Sequence, residues 1–238
     1  MNSNLRTTFD TLPMNALTSL AEQSRFNMIE QQIRPWHVLD QDVLDALSAI
    51  PRERFVPIRY QNMAYSDIEI PLEVEGINSC EAMLAPKIEA RLAQELRLTP
   101  TDGVLEIGTG SGYQAAIVSR LCSTVVSVEI DRHIAAFGKA NLEREQIANV
   151  KVEIGDGRAG WGTGEYSAIL LTGSIPNIPD SLKYQLTIGG RLVAIVGQAP
   201  VMTALRITRV SAAAFETESL FDTYAKPLRG TTVSHFKF

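Results

Sequence analysis

The sequence predicts an α/β protein with a doubly wound, mostly parallel sheet behind an N-terminal helical cap. Three observations carry that prediction. From residue 104 onward, short apolar runs alternate with helical periods, the pattern of a parallel sheet covered on both faces. The first run enters a glycine-rich turn that opens a helix, Val104-Leu-Glu-Ile-Gly-Thr-Gly-Ser-Gly-Tyr113. The last two runs, Ala204–Val210 and Phe215–Phe221, have no helix between them and read as antiparallel additions at one edge.

The elements follow in order. Residues 1–23 read as an arm or a peripheral helix. In residues 24–34, Phe26, Ile29 and Ile33 fall at helical spacing; Ser24 is placed to cap that helix and Pro35 to interrupt or end it. Asp40 starts a second helix with Val43, Leu44, Leu47 and Ile50 on one face, and Pro51 stops it. Pro57 to Pro86 shows no period and reads as a long irregular connection, a type of loop that is often functional. A helix from Pro86 to Arg97 carries Ile88, Leu92 and Leu96 at i, i+4, i+8, and Thr99-Pro-Thr-Asp-Gly103 is a turn. Strands are expected at Val104–Ile107, Thr124–Val128, Val150–Ile154, Ala168–Leu171 and Arg191–Val196. Helices are expected at Gln114–Leu121, Ile134–Glu145 and Leu182–Leu186. The chain divides into an arm, cap and loop over 1–85 and a sheet domain over 86–238, together one compact unit.

Composition narrows the function. Of 238 residues, 45% are hydrophobic and 21% charged, with a net charge of −5, as in a soluble globule. An acidic balance counts against nucleic acid as a partner. No apolar run nears the roughly 20 residues that cross a bilayer, and the N-terminal residues lack a secretory signal pattern. Cys80 and Cys122 are the only cysteines, so a reducing, cytoplasmic setting is expected. Cys80 reads as a packing residue. His37, His133 and His235 show no metal-ligand spacing, and no metal site is expected. Residues 1–150 hold 13 basic and 20 acidic side chains. Between Tyr65 and Pro86 lie Asp67, Glu69, Glu73, Glu75 and Glu81 with no Lys or Arg. That stretch is either a solvated loop or a screen against anionic ligands.

The glycine loop carries the chemistry. No Lys-Ser/Thr follows it, so it is not a P-loop, and Tyr113 stands where a dinucleotide fingerprint needs its third glycine. The GxGxG spacing suits S-adenosylmethionine (SAM), where no pyrophosphate has to be held. Glu129 closes the second strand 21 residues after Gly108, where an acid accepts both ribose hydroxyls. Gly155-Asp156-Gly157 follows the third strand, where a carboxylate can accept from an adenine amine. The candidate cofactor residues are therefore Glu106, Gly108, Thr109, Gly110, Ser111, Gly112, Glu129, Ile130, Asp156, Gly157 and Thr172. Thr172-Gly-Ser174, placed after the fourth strand, either borders the reacting methyl or is a simple turn. Trp161 either shields the adenine or fills space, as Trp36 does.

At this point the sequence resembles the protein-L-isoaspartate O-methyltransferase family of class I SAM-dependent methyltransferases, which have Rossmann-like folds. The resemblance rests on Met28-Ile-Glu-Gln-Gln-Ile-Arg34, Val43–Pro57 ending Ile-Pro-Arg-Glu-Arg-Phe-Val-Pro57, Ala64-Tyr-Ser-Asp67, Leu105–Ala115, Pro176–Gly197 and Lys226-Pro-Leu-Arg-Gly230. It covers roughly residues 25–230. It implies an enzyme that moves methyl from SAM to the free carboxylate of isoaspartyl residues in damaged proteins. A carboxylate is already a nucleophile, so placement rather than a general base is what such chemistry needs.

The substrate loop departs from the family pattern. The family shows a G-x-G-Q-T-I-S-Q-P run whose serine hydroxyl bonds the acceptor carboxylate. Here the stretch is longer and acidic, Pro71-Leu-Glu-Val-Glu-Gly-Ile-Asn-Ser-Cys-Glu-Ala-Met-Leu-Ala-Pro86. Anchored on Pro86, the serine falls on Leu84; anchored on Gly76, it falls near Ser79 or Cys80. Ser79 is the candidate acceptor residue. Glu73, Glu75 and Glu81 would raise the energy of an incoming anion. A family member with another acceptor, including a small molecule, and a SAM-binding protein without turnover remain open readings.

Overall fold

The order of strands in one seven-stranded sheet fixes where the glycine loop lies. The computed structural model describes residues 14–231; expectations for residues 1–13 and for His235 fall outside them. The sheet runs β5-β4-β3-β6-β7-β8-β9. These strands are β3 (Gly103–Ile107), β4 (Thr124–Glu129), β5 (Val150–Ile154), β6 (Tyr166–Ile175), β7 (Leu186–Gln198), β8 (Val201–Arg209) and β9 (Phe215–Asp222). β3 to β7 pair in parallel, whereas β8 and β9 are antiparallel. From β3 the chain winds outward through β4 to β5, then returns to lay β6 on the other side of β3. That reversal opens a crevice at the carboxyl ends of β3 and β4.

Alternation along the central strands puts apolar groups on both faces. In β6, Ala168 and Leu170 join one core, with Leu92 and Val118. Ile169 and Leu171 join another, with Leu182 and Leu192. A third core joins the N-terminal elements to α4 (Tyr113–Ser119) and α5 (Arg132–Arg144), bringing Met28, Leu47, Phe55 and Leu72 against Tyr113, Ala116 and Leu142.

The N-terminal elements refine the sequence reading. Helix α1 spans Met14–Met28 and passes through a π turn, Ile29–Ile33, into a 3-10 turn, Arg34–Trp36. Ser24 therefore lies inside a helix and does not cap one; its hydroxyl donates to the Leu20 carbonyl at 2.8 Å. Asp40 caps α2 (Gln41–Ala49), accepting from the amides of Asp42 and Val43. Pro86 opens α3 (Pro86–Glu95) at its first turn, where the missing N–H has no intrahelical partner to lose.

Three expectations are corrected. The segment 57–86 is not irregular throughout. A 3-10 helix at Ile58–Met63 precedes a hairpin of β1 (Ile70–Val74) and β2 (Ile77–Met83). Its two-residue turn, Glu75-Gly76, has positive φ at both positions, +53° and +79°, as a primed hairpin turn requires. The second correction is that Thr172–Ser174 do not follow the fourth strand, because β6 continues to Ile175. The third is that Leu186 begins β7, while the preceding helix α6 is only Asp180–Tyr184.

The N-terminal elements are tied to the rest of the fold by a buried charge pair. Arg52, fully buried, donates to the Glu89 carboxylate of α3 and to the Leu84 carbonyl at 2.8 Å. Its guanidinium also lies 4.6 Å from the Tyr113 ring centroid. Burial pushes the Glu89 carboxyl up to about 7, and Arg52 pulls against that rise. Removing one partner of a buried pair leaves the other charge unmatched. Arg52→Met is expected to lower unfolding free energy by about 3–5 kcal/mol, with part recovered when Glu89→Gln is added. Urea unfolding of the three proteins checks this; a loss below about 1 kcal/mol for Arg52→Met would remove the pair as the tie.

Candidate active site

On its glycine-loop side, the crevice above β3 and β4 presents bare backbone. Gly108, Gly110 and Gly112 all adopt positive φ, at +99°, +54° and +82°. A Cβ on Gly108 would stand 2.2 Å from the Thr172 hydroxyl, so that surface exists only without a side chain. Thr172 closes the underside by donating to the carbonyls of Ile107 and Gly108. Gly155 is backed by Trp161, whose ring lies where a Cβ would sit. Trp161 thus supports that backbone from behind and does not line the crevice.

Glu129 projects at the end of β4 with both oxygens oriented. One accepts from the Gly110 amide at 3.1 Å and the other from the Asp131 amide at 3.1 Å. Burial raises its pKa, and the two amides oppose the rise. Asp156, at the end of β5, lines the same crevice. Arg158 grips both its oxygens, at 2.9 and 2.7 Å, and holds its carboxyl below the usual range. A carboxylate has about four acceptor sites, so this grip does not exhaust it.

The candidate cofactor residues separate into two tiers. Gly108, Gly110, Glu129, Ile130, Asp156, Gly157 and Thr172 line the crevice. Glu106, Thr109, Ser111 and Gly112 lie behind it. Thr109 donates to Ser127 at 2.6 Å, and Ser127 donates to the Glu106 carboxylate. Ser111 accepts from the Tyr113 amide at 3.3 Å, and its carbonyl from the Asn141 side chain at 2.9 Å. This tier holds the loop in shape.

The opposite wall comes from the hairpin and the segment after β9. Leu72, Ala82, Leu84, Glu69 and Glu81, from the hairpin and its flanks, line it together with Lys226, Pro227, Leu228 and Arg229. The late segment is pinned to β6: the Ser174 amide donates to the Lys226 carbonyl and the Leu228 amide to the Ser174 carbonyl, both at 2.9 Å. Three of the five acids in the stretch are matched by cations. Glu81 pairs with Lys226 and Arg229, Asp67 with Lys87, and Glu73 with Arg59. Every one of these partners lies outside 65–86, so the stretch alone could not reveal them. Ser79, the candidate acceptor residue, donates to the Leu72 carbonyl at 2.6 Å and accepts from the Glu81 amide. Its hydroxyl fastens the hairpin and does not line the crevice. Among the described residues no cluster of His, Cys, Asp and Glu could hold a metal ion.

A family model described as protein-L-isoaspartate(D-aspartate) O-methyltransferase matches residues 23–229. The chain belongs to that family. Its relatives include protein-L-isoaspartate O-methyltransferases of Koribacter versatilis, 36% identical over 87% of this chain and 90% of the relative, and of Protochlamydia amoebophila, 40% identical over 85% and 95%. A solved protein-L-isoaspartate O-methyltransferase superposes with a TM-score of 0.72 at 26% identity, covering 88% of this chain and 66% of the other. A Plasmodium falciparum structure described by the same activity, in complex with S-adenosyl-L-homocysteine, has a TM-score of 0.71 at 19% identity over 88% of this chain and 98% of that one.

Membership makes the protein a SAM-dependent O-methyltransferase with a Rossmann-like fold. Of the positions that the two anchorings offer for the family's serine, Leu84 stands two residues before α3, nearly buried, at the crevice wall, and Ser79 lies in the hairpin, off the crevice. Lys226 and Arg229 line the crevice, a placement that the Lys226–Gly230 motif does not by itself reveal. Nothing local signals that this segment returns to β6.

Glu106 adds a pH-dependent effect. Fully buried, with one oxygen unpartnered among the described residues, its carboxyl is pushed from 4.5 up to about 8; burial raises it and Ser127 opposes. Below pH 4.5 both folded and unfolded chains hold this proton. Between there and about 8 only the folded chain does, so stability falls as pH rises, by up to about 1.4 kcal/mol per pH unit for one proton. Glu106→Gln is expected to flatten that decline. Urea midpoints at several pH values across this window test it; parallel profiles for wild type and variant would show that Glu106 stays ionised in the fold.

Proposed function

We propose that this protein methylates the free carboxylate of isoaspartyl residues in proteins and peptides, using SAM. The observation that carries the reading is the family match over residues 23–229 in a chain whose glycine cradle and Glu129 meet at one crevice. The residues present suit the cofactor. Bare backbone at Gly108 and Gly110 lets a ligand come close. Glu129, with one amide donor on each oxygen, keeps lone pairs for a vicinal diol. Ile130 and Asp156-Gly157, beside Glu129 in the lining, suit an adenine, and Thr172 and Gly173 line the same crevice. The cofactor supplies an electrophilic methyl on a sulfonium.

The chain's own work is orientation and exclusion of water. Leu72, Leu84, Pro227 and Leu228 give an apolar wall, and in such surroundings an anionic nucleophile is less hydrated. No side chain has to remove a proton, because the acceptor carboxylate is ionised at neutral pH. A cytoplasmic location accords with two unpaired cysteines, and no helix among the described residues is long and apolar enough to cross a membrane.

Two measurements test this reading. Incubation with radiolabelled SAM is expected to give base-labile methyl ester on an isoaspartyl peptide and none on the same peptide with normal aspartate; no ester on either would refute the acceptor assignment. Glu129→Ala is expected to weaken binding of S-adenosyl-L-homocysteine by about 1–3 kcal/mol, the effect of leaving polar groups unpaired. Calorimetry showing unchanged affinity would move the ribose site elsewhere.

A further inference from the structure

The residues that line the hairpin side of the crevice, Glu69, Leu72, Glu81, Ala82 and Leu84, carry no hydroxyl. An acceptor carboxylate entering there needs another donor. Three cations line the crevice: Arg158, Arg229 and Lys226. Arg158 gives its donors to both oxygens of Asp156 and to the Gly230 carbonyl. Arg229 gives its donors to Glu81 at 3.1 Å, Asp131 at 2.6 Å and the Ser79 carbonyl at 3.1 Å. Lys226 is different. Among the described residues its ammonium pairs with one carboxylate, Glu81, at 3.1 Å, while Glu69 in the same crevice is near enough to feel its charge, and an ammonium has three donors.

Its placement fits the task. The Lys226 carbonyl accepts from the Ser174 amide, and Pro227 bridges to Ser174, so the backbone is fixed to the end of β6. The neighbouring Ala225 packs in the same core as Leu84. Lys226 and Leu84 line the same crevice, and 43% of the Lys226 side chain remains exposed.

We infer that Lys226 is the specificity-determining residue that receives the acceptor carboxylate in this chain. Glu81 orients the ammonium and offsets part of its charge, while the remaining donors face the incoming anion. One carboxylate oxygen is held and the other is left to react. The inference rests on the isoaspartyl reading for the identity of the acceptor, but it is tested by binding as well as by turnover.

The experiment uses the full chain loaded with S-adenosyl-L-homocysteine. Calorimetry compares an isoaspartyl peptide with its α-carboxamide analogue, on wild type, Lys226→Met and Lys226→Arg. Wild type is expected to prefer the carboxylate about ten- to a hundredfold, the range of a charge-assisted hydrogen bond. Lys226→Met should lose that preference while binding S-adenosyl-L-homocysteine as before, and Lys226→Arg should keep most of it. General damage to the fold would weaken both peptides together. A Lys226→Met protein that still discriminates, or a wild type that does not, overturns the inference. Methyl transfer is read separately with radiolabelled SAM. Transfer that does not depend on Lys226 sinks this inference alone; absence of transfer sinks the isoaspartyl reading, whatever the binding shows.

Discussion

Gly110, Gly112 and Gly138 let the turn after β3 and helix α5 approach until backbone meets backbone. A Cβ on Gly112 would stand 2.9 Å from the Gly138 carbonyl, and one on Gly138 would stand 2.8 Å from the Gly110 carbonyl. Much else depends on that contact. It brings Asn141 of α5 within reach of the Ser111 carbonyl. It sets the first turn of α5, capped by Asp131, next to Glu129. It also leaves Gly110 in contact distance of Leu72, 3.6 Å from where its Cβ would be, so the hairpin rests on the loop. Interiors are close-packed, and a methyl group at this junction would have to displace main chain.

Charge pairs join distant parts of the chain. At the crevice, Arg229 connects the late segment to the hairpin and to the cap of α5. Near the start of β3, Arg191 of β7 reaches the carbonyls of Leu96 and Arg97 at the end of α3, and also Asp102. The nearly buried Arg206 of β8 joins Glu95 of α3 to Glu218 of β9. Exposed pairs contribute little to stability, but Arg191–Asp102 and Arg206–Glu95 are largely buried and hold α3 against the sheet.

The repeating α/β part was legible because its signals are local. Alternating Ala168-Ile169-Leu170-Leu171 must be covered on both faces, and glycine spacing after an apolar run marks a ligand turn. Asp40 and the Pro86 start of α3 announced themselves by capping chemistry. The hairpin was not legible. Pro71 and a register shift between Pro71 and Glu73 interrupt its alternation, and Cys80 sits at a φ of +61°. Thr172–Ser174 were misplaced because a glycine inside a strand reads as a turn until a neighbouring segment is seen to need the space. Leu228 comes within 2.9 Å of where a Gly173 Cβ would be. At the site, the glycines and Glu129 could be read in sequence, whereas Lys226 and Arg229 could not, because their position depends on a bridge formed across some fifty residues of chain between Ser174 and Pro227.

The wall made by Lys226 to Arg229 has a consequence for where the site can vary. The glycine cradle and Glu129 belong to the strand-and-helix repeat, whereas this wall lies outside it, after the last strand. Its main chain is held by hydrogen bonds to Ser174 and its side chains by Glu81 and Asp131. Side chains at Lys226 to Arg229 can therefore change the face shown to a second molecule while every strand of the sheet keeps its partners.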